Sequence, residues 1–242
     1  MSVYVIDYLS VDSKSIIFEE VCQVGNEICS DFSRKNLKVQ RTDRAVLTAA
    51  QLFLERGIEE IKMTDIADTS GVGVATLYRY FGTKPRMVTE VMTYLWDEVN
   101  ELFAGIFDTR EFMQQEGIKQ ISDLMRMYLV LYEAHSDFMR LLGEFDTYII
   151  REQIAKEDLI KYESSIINFY PVLVRAYEKG LKDGSVRRVD NFKMYYLTYA
   201  HALLEMCKKF VKGEILPSDR NEYAVTELEL LIESGVSFFS TR

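Results

Sequence analysis

The segment from Gly71 to Lys84 holds the side chains with the clearest chemistry in this 242-residue chain. Val74, Ala75, Thr76 and Arg79 would project from the start of a short helix over 74–81, after the turn Gly71-Val72-Gly73. Thr76 can donate or accept a hydrogen bond, or pack its methyl on a thymine methyl, and the Arg79 guanidinium suits a guanine edge or a phosphate. A second short helix, over 62–70, precedes the turn. Two such helices around a glycine turn have the size of a helix-turn-helix, whose second helix puts its N-terminal side chains into the major groove. Ile66, Ala67, Val72 and Leu77 can form the small core that fixes the angle between them, and Gly71 suits a positive φ. On spacing alone, an ordinary helical hairpin inside a bundle competes with this reading.

Other chemistries are thinly supplied. The sequence has no GxSxG, P-loop, HExxH or Rossmann glycine pattern, so an enzyme is not expected. His135 and His201 lack a second His or a Cys at metal-ligand spacing, so neither a metal site nor a cofactor is expected. Cys22, Cys29 and Cys207 form no CxxC pair and read as reduced thiols used as small hydrophobes, which suits the cytoplasm. No apolar run approaches about 18 residues, so no transmembrane helix is expected. Asp7, Asp12, Glu19 and Glu20 argue against a secretory signal in the first 30 residues. The net charge of −9 argues against nucleic acid when taken alone. Its distribution matters more: residues 91–242 carry −7, whereas residues 34–44 carry +4 through Arg34, Lys35, Lys38, Arg41 and Arg44, less Asp43. Such a basic patch is a place for phosphate contact.

The elements that must position these groups read as helices nearly throughout. Val46, Ala49, Ala50 and Phe53 follow i, i+3, i+4, i+7 and predict a helix over about 41–56, stopped by Gly57. Pro85 suits the first turn of a longer helix running to about 104. Further helices are expected near 116–134, 136–155, 160–182, 190–212 and 220–238. Pro171 should kink or break the third of these. Residues 3–11 could be a strand but have no partner. Ile16, Ile17, Val21 and Ile28, with Cys22 and Cys29, suggest an amphipathic helix at about 13–33. Residues 1–40 are therefore read as an N-terminal extension: a packing helix, a tail that helps hold DNA, or a flexible end.

The residues Ala45, Ala49-Ala50, Phe53 and Gly57, then Thr64-Asp65-Ile66-Ala67, then the run from Gly71 to Phe81 and Lys84, resemble the DNA-binding domain of the tetracycline-repressor (TetR) family of transcriptional regulators. Leu181, Asp183-Gly184 and Val186-Arg187 also look like a turn of that family, more loosely. The resemblance implies an all-α fold with an N-terminal three-helix helix-turn-helix domain, here 41–87, and a C-terminal helical ligand-binding and dimerisation domain, here 88–242. It implies that Thr64, Tyr78, Tyr80 and Lys84 meet phosphates while Val74, Ala75 and Thr76 face base edges, with Arg79 beside them; phosphate contacts set register and base contacts read sequence. The chain departs from the family pattern in having Lys62 where Ser or Thr is usual as N-cap, and Gly73 and Val74 where more polar residues are common. A less polar reading edge favours methyl contacts.

Beyond residue 105, aromatics and Met are plentiful. Most would be core, but Tyr and Met also suit a pocket for a flat or flexible apolar molecule. The resemblance implies such a pocket, and Trp96, Tyr128, Tyr132, Phe145, Tyr170, Tyr177 and Tyr199 are its candidate lining. Glu144, Asp146 and Glu205 lie among these stretches, either on the surface or facing a cationic ligand. The helix at 190–212 has two apolar sides: Phe192, Tyr195, Tyr196, Tyr199, Leu203, Met206 and Phe210 on one, and Met194, Leu197, His201, Leu204 and Val211 on another. It must be covered twice, which suits a twofold homodimer as the resemblance implies. The function so expected is a ligand-responsive regulator, most simply a repressor. It would bind a palindromic double-stranded DNA operator and be released by a small apolar or amphipathic effector. A helical small-molecule-binding protein without sequence-specific DNA binding is the alternative.

Overall fold

The computed structural model describes residues 34–167, 170–216 and 219–241. The expectations for residues 3–11 and 13–33 lie outside them. The described chain is all-α, with one isolated antiparallel bridge between Val186 and Ser240. It divides into two compact units between Arg44 and Ala45. Helix α1 (Arg34–Arg56) begins earlier than its apolar stripe predicts. Lys, Arg and Gln before residue 41 are good helix formers, so propensity extends the helix beyond the part that packing requires.

From Ala45 onward, Ala49, Ala50 and Phe53 of the expected stripe are buried together with Ala45, while Val46 is half-buried. Helices α2 (Met63–Ser70), α3 (Val74–Phe81) and α4 (Lys84–Phe107) follow. Thr83 caps α4 by accepting the Arg86 N–H at 3.3 Å, and Pro85 stands in the first turn, where its missing N–H costs nothing. The rest of the fold runs α5 (Arg110–Gln114), α6 (Gly117–Ala134), α7 (Ser136–Arg151), α8 (Ile160–Ile167), α9 (Tyr170–Asp183), α10 (Phe192–Phe210) and α11 (Ala224–Phe239). Of the helix expected over 160–182, Ile160–Ile167 and Tyr170–Asp183 are helical, and Pro171 is the second residue of α9. The short α5 carries no legible period; its Phe112 is buried against Phe107, ring centres 5.0 Å apart.

Helix α6 is the hub, with α7, α9, α10 and α11 packed on it. Its N-terminus has no side-chain cap of its own. The turn after α9 supplies one: Asp183 accepts the Gly117 N–H at 2.8 Å and Ser185 accepts the Ile118 N–H at 3.1 Å. Gly117 and Gly180 make this approach possible, because a Cβ on Gly117 would lie 2.1 Å from the Gly180 nitrogen. Among the described residues no helix is long and apolar enough to cross a membrane, and no group of His, Cys, Asp or Glu could hold a metal ion.

Candidate nucleic-acid interface

Lys62 occupies the N-cap of α2 in extended backbone (φ −101°, ψ 161°) and makes no side-chain cap bond, as an ammonium with no acceptor cannot. Asp65 takes over from inside the helix, accepting the Lys62 N–H at 2.8 Å. Its carboxylate also suits the positive end of the helix dipole. Helix α2 ends at Gly71 in the left-handed region (φ +66°), as the turn requires. Buried Ser70 accepts the Val72 N–H at 3.2 Å, tightening the same turn. Ile66, Ala67, Val72 and Leu77 are all buried and form the expected small core.

With Leu77 and Phe81 inward, α3 turns its first residues outward. Val74 and Ala75 are exposed and Thr76 is half-buried. Tyr78, half of whose surface is accessible (50%), and Arg79 lie open one turn further on. Tyr80 is half-buried against the core, with the Arg79 guanidinium 5.3 Å from its ring centre. Thr64 is exposed in the first turn of α2. Lys84 behaves differently from an outstretched phosphate ligand. Its ammonium donates to the Ile58 carbonyl at 2.7 Å, and burial lowers its pKa below the usual lysine value. An ammonium has three donors, so this bond leaves capacity for an anion.

The seven aromatic candidates for a pocket are spread over several ring contacts. Trp96 packs edge-on to Phe138 at 5.2 Å and donates to the Tyr162 hydroxyl at 3.3 Å, and Phe145 meets the Tyr162 ring at 4.9 Å. Tyr128 is buried, and burial followed by the neighbouring Tyr196 raises its pKa. Tyr132 lies against Phe210, and Tyr170 lies 6.4 Å from Tyr196. Tyr177 stacks on Phe192 at 3.8 Å and accepts the Val189 N–H at 3.0 Å, while Tyr199 meets Phe239. Six of these rings meet another ring, and Tyr128 instead meets the Tyr196 hydroxyl. Two surface clefts of about 260 and 280 Å³ lie elsewhere, near Lys209 and Tyr223 and near Arg126 and Ile232. The carboxylates Glu144, Asp146 and Glu205 face the chain's own cations. Glu144 pairs with Arg140, and both Asp146 and Glu205 pair with Lys208.

Sequence reasoning missed the polar joint behind the helix-turn-helix. Arg140, Glu144 and Arg151 of α7 hold residues 54–59, from the end of α1 into the following turn. No local pattern marks these residues, because their partners are distant in sequence.

Residues 46–91 match the model of bacterial regulatory proteins, tetR family. The chain is 35% identical over 109 residues to the HTH-type transcriptional regulator SAR0097 of Staphylococcus aureus (strain MRSA252), covering 42% of this chain and 56% of that one. It is 26% identical over 139 residues to the HTH-type transcriptional repressor KstR2 of Rhodococcus jostii (strain RHA1), covering 57% and 64%. The chain thus spans less than two thirds of the length of these relatives. Among solved structures, the transcriptional regulator FadR from Bacillus subtilis in complex with stearoyl-CoA superposes with a TM-score of 0.60 at 14% identity, over 81% of this chain and 98% of that one. That likeness is one of fold. The exposed edge of α3 on its glycine-turned support lies within residues 46–91, and that segment is similar to the tetR family of bacterial regulatory proteins.

Proposed function

We propose that this chain is a transcriptional regulator that binds a palindromic DNA operator as a homodimer and is released by a small apolar or amphipathic effector. The observation that carries the reading is the outward edge of α3. Val74, Ala75, Thr76 and Arg79 stand at the start of a helix whose opposite face, Leu77 and Phe81, is buried. In this reading Val74, Ala75 and Thr76 meet base edges, and methyl contacts weigh more than hydrogen bonds. Thr64, Tyr78, Tyr80 and Lys84 hold phosphates, with Arg79 on either.

The outer faces of α10 and α11 support a dimer. Met194 (58%) and Leu230 (60%) are exposed on those helices, with His201 nearby on the outer side of α10. Pairing these faces across a twofold axis covers both and presents two copies of α3 to half-sites about one helical turn apart. The ring-filled interior around Tyr128, Tyr132, Tyr177 and Tyr199 supports an effector that opens space by separating rings. A ligand that binds the opened state more tightly weakens DNA binding by the same factor. The repressor named among the relatives and the acyl thioester bound by the Bacillus subtilis neighbour point in the same direction.

A gel shift on DNA upstream of the chain's own gene, at two salt concentrations and with random competitor, tests this. Saturable binding that weakens steeply with salt and footprints a palindrome is the expected result. Equal affinity for random and upstream DNA, persisting across genomic fragments, would return the chain to a helical effector-binding protein.

A further inference from the structure

The last turn of α1 and the turn that follows it are held by side chains from two other helices. Arg140 donates one guanidinium nitrogen to the Leu54 carbonyl and another to the Glu144 carboxylate, the latter at 2.6 Å. The other Glu144 oxygen accepts the Ile58 N–H at 3.0 Å. Lys84, at the start of α4, takes the Ile58 carbonyl at 2.7 Å. The peptide groups flanking Ile58 are therefore fixed from both sides, while the Ile58 side chain is buried. One residue earlier, Gly57 lies in the left-handed region (φ +82°), and a Cβ there would come within 2.7 Å of Glu144 Oε2. Glycine thus lets the carboxylate lie directly against the backbone. Arg151, one end of α7, pairs with Glu59 and Glu152.

Two residues beyond Glu144, Asp146 reaches in another direction. It pairs with the buried ammonium of Lys208 on α10, which also pairs with Glu205. Burial works against that ammonium, and its two carboxylates overcome it and raise its pKa. Gly143 sits where a Cβ would be 3.9 Å from Lys208 Cβ, so α7 and α10 approach closely at this point. Helix α7 thus carries two polar joints within one turn: one to the backbone that leads into α2, the other to the helix proposed to form the dimer.

We propose that Glu144 is a positioning residue that fixes the orientation of the DNA-reading helices on the body, with α7 transmitting the placement of α10 to them through Asp146 and Lys208. This deepens the operator-binding reading above and rests on it. Glu144 touches no DNA. It sets how stiffly two copies of α3 are held apart, and hence how strictly the half-site spacing is enforced. A half-buried polar network whose members are paired to one another and to fixed backbone groups couples the elements it joins, and loss of one member frees the others.

The test uses the full chain and a series of operators whose centre is lengthened or shortened by one or two base pairs. Wild type should discriminate against the altered spacings, and Glu144→Ala should lose roughly tenfold of that discrimination, as removal of one charge-assisted hydrogen bond does. Its affinity for an isolated half-site should stay unchanged. Asp146→Asn should relax the spacing preference in the same sense. An unaltered spacing profile in Glu144→Ala overturns the proposal. A wild type that binds no operator would instead fail the DNA-binding reading. For that case a second measurement needs no DNA: the spin-label distance between exposed Asp68→Cys on α2 and Glu178→Cys on α9, with Cys22 and Cys29 replaced by Ser. The distance distribution should broaden in Glu144→Ala, and an equally narrow one overturns the proposal. Should Glu144→Ala fold poorly, Glu144→Gln, which keeps one acceptor, should give an intermediate width, and wild-type width in it counts against the assignment.

Discussion

Thr76 and Lys84 are eight residues apart and differ in what their substitution should do. Thr76 sits half-buried at the edge of α3, where its hydroxyl and methyl can meet a base. Thr76→Ala should therefore change preference among operator variants by about 1–3 kcal/mol at one base position, with little effect on random DNA. Lys84→Ala should weaken binding to all sequences alike and lower the salt slope by about 1. It also removes the ammonium from the Ile58 carbonyl, so a melting curve should show a loss of about 1 kcal/mol. Binding isotherms on a panel of single-base variants check both. If Thr76→Ala and Lys84→Ala give the same profile, α3 does not read bases through Thr76. Tyr78 and Tyr80 divide in the same physical way: the first is open to a phosphate, and the second is half-sunk in the core.

At the scale of elements, glycine sets two junctions for different reasons. A Cβ on Gly71 would meet nothing within 4 Å, so Gly71→Ala costs only its left-handed backbone, about 1–2 kcal/mol in chemical denaturation. Gly117 is limited by space. Its Cβ would collide with the backbone of Gly180, so Gly117→Ala must push α6 and α9 apart and should cost about 1–3 kcal/mol. The same junction carries a pH signature. Burial disfavours the Asp183 carboxylate, but hydrogen bonds from Ser185 and Gly117 outweigh it and hold its pKa below the ordinary 3.8. A carboxylate with a lowered folded-state pKa stabilises the fold above its unfolded value and loses that contribution as pH falls through the lowered one. Wild type should therefore exceed Asp183→Asn by about 1 kcal/mol near neutral pH, the worth of a helix cap. The gap should close below pH about 4, and a pH series of melts decides it.

For the whole molecule, the decisive prediction concerns the outer faces of α10 and α11. Met194 and Leu230 are large, apolar and exposed. Replacing both by Glu should convert a dimer into a folded monomer in sedimentation velocity and abolish tight binding to the full palindrome, leaving weak half-site binding. An unchanged sedimentation coefficient would place the dimer contact elsewhere. Trp96, Phe138 and Tyr162 fill the interior, while Arg140, Glu144 and Arg151 tie down the turn near Ile58.

The helices, the glycine turn and the outward edge of α3 were legible in the amino-acid order because their causes are local. The stripe of Val46, Ala49, Ala50 and Phe53 repeats every turn of a helix, Gly71 stops one helix, and inward Leu77 obliges Thr76 and Arg79 to face elsewhere. The aromatic residues carried no such instruction. Their types allow a pocket, but only packing decides that Tyr177 stacks on Phe192 and Phe145 on Tyr162. Glu144 shows the same limit most sharply. Its sequence neighbours suggest a surface acid or a ligand contact, whereas its partner is a peptide group 86 residues away. Periodicity and turn chemistry act over a few residues and are written in the chain; which side chain satisfies a distant backbone N–H is decided when the helices close on one another.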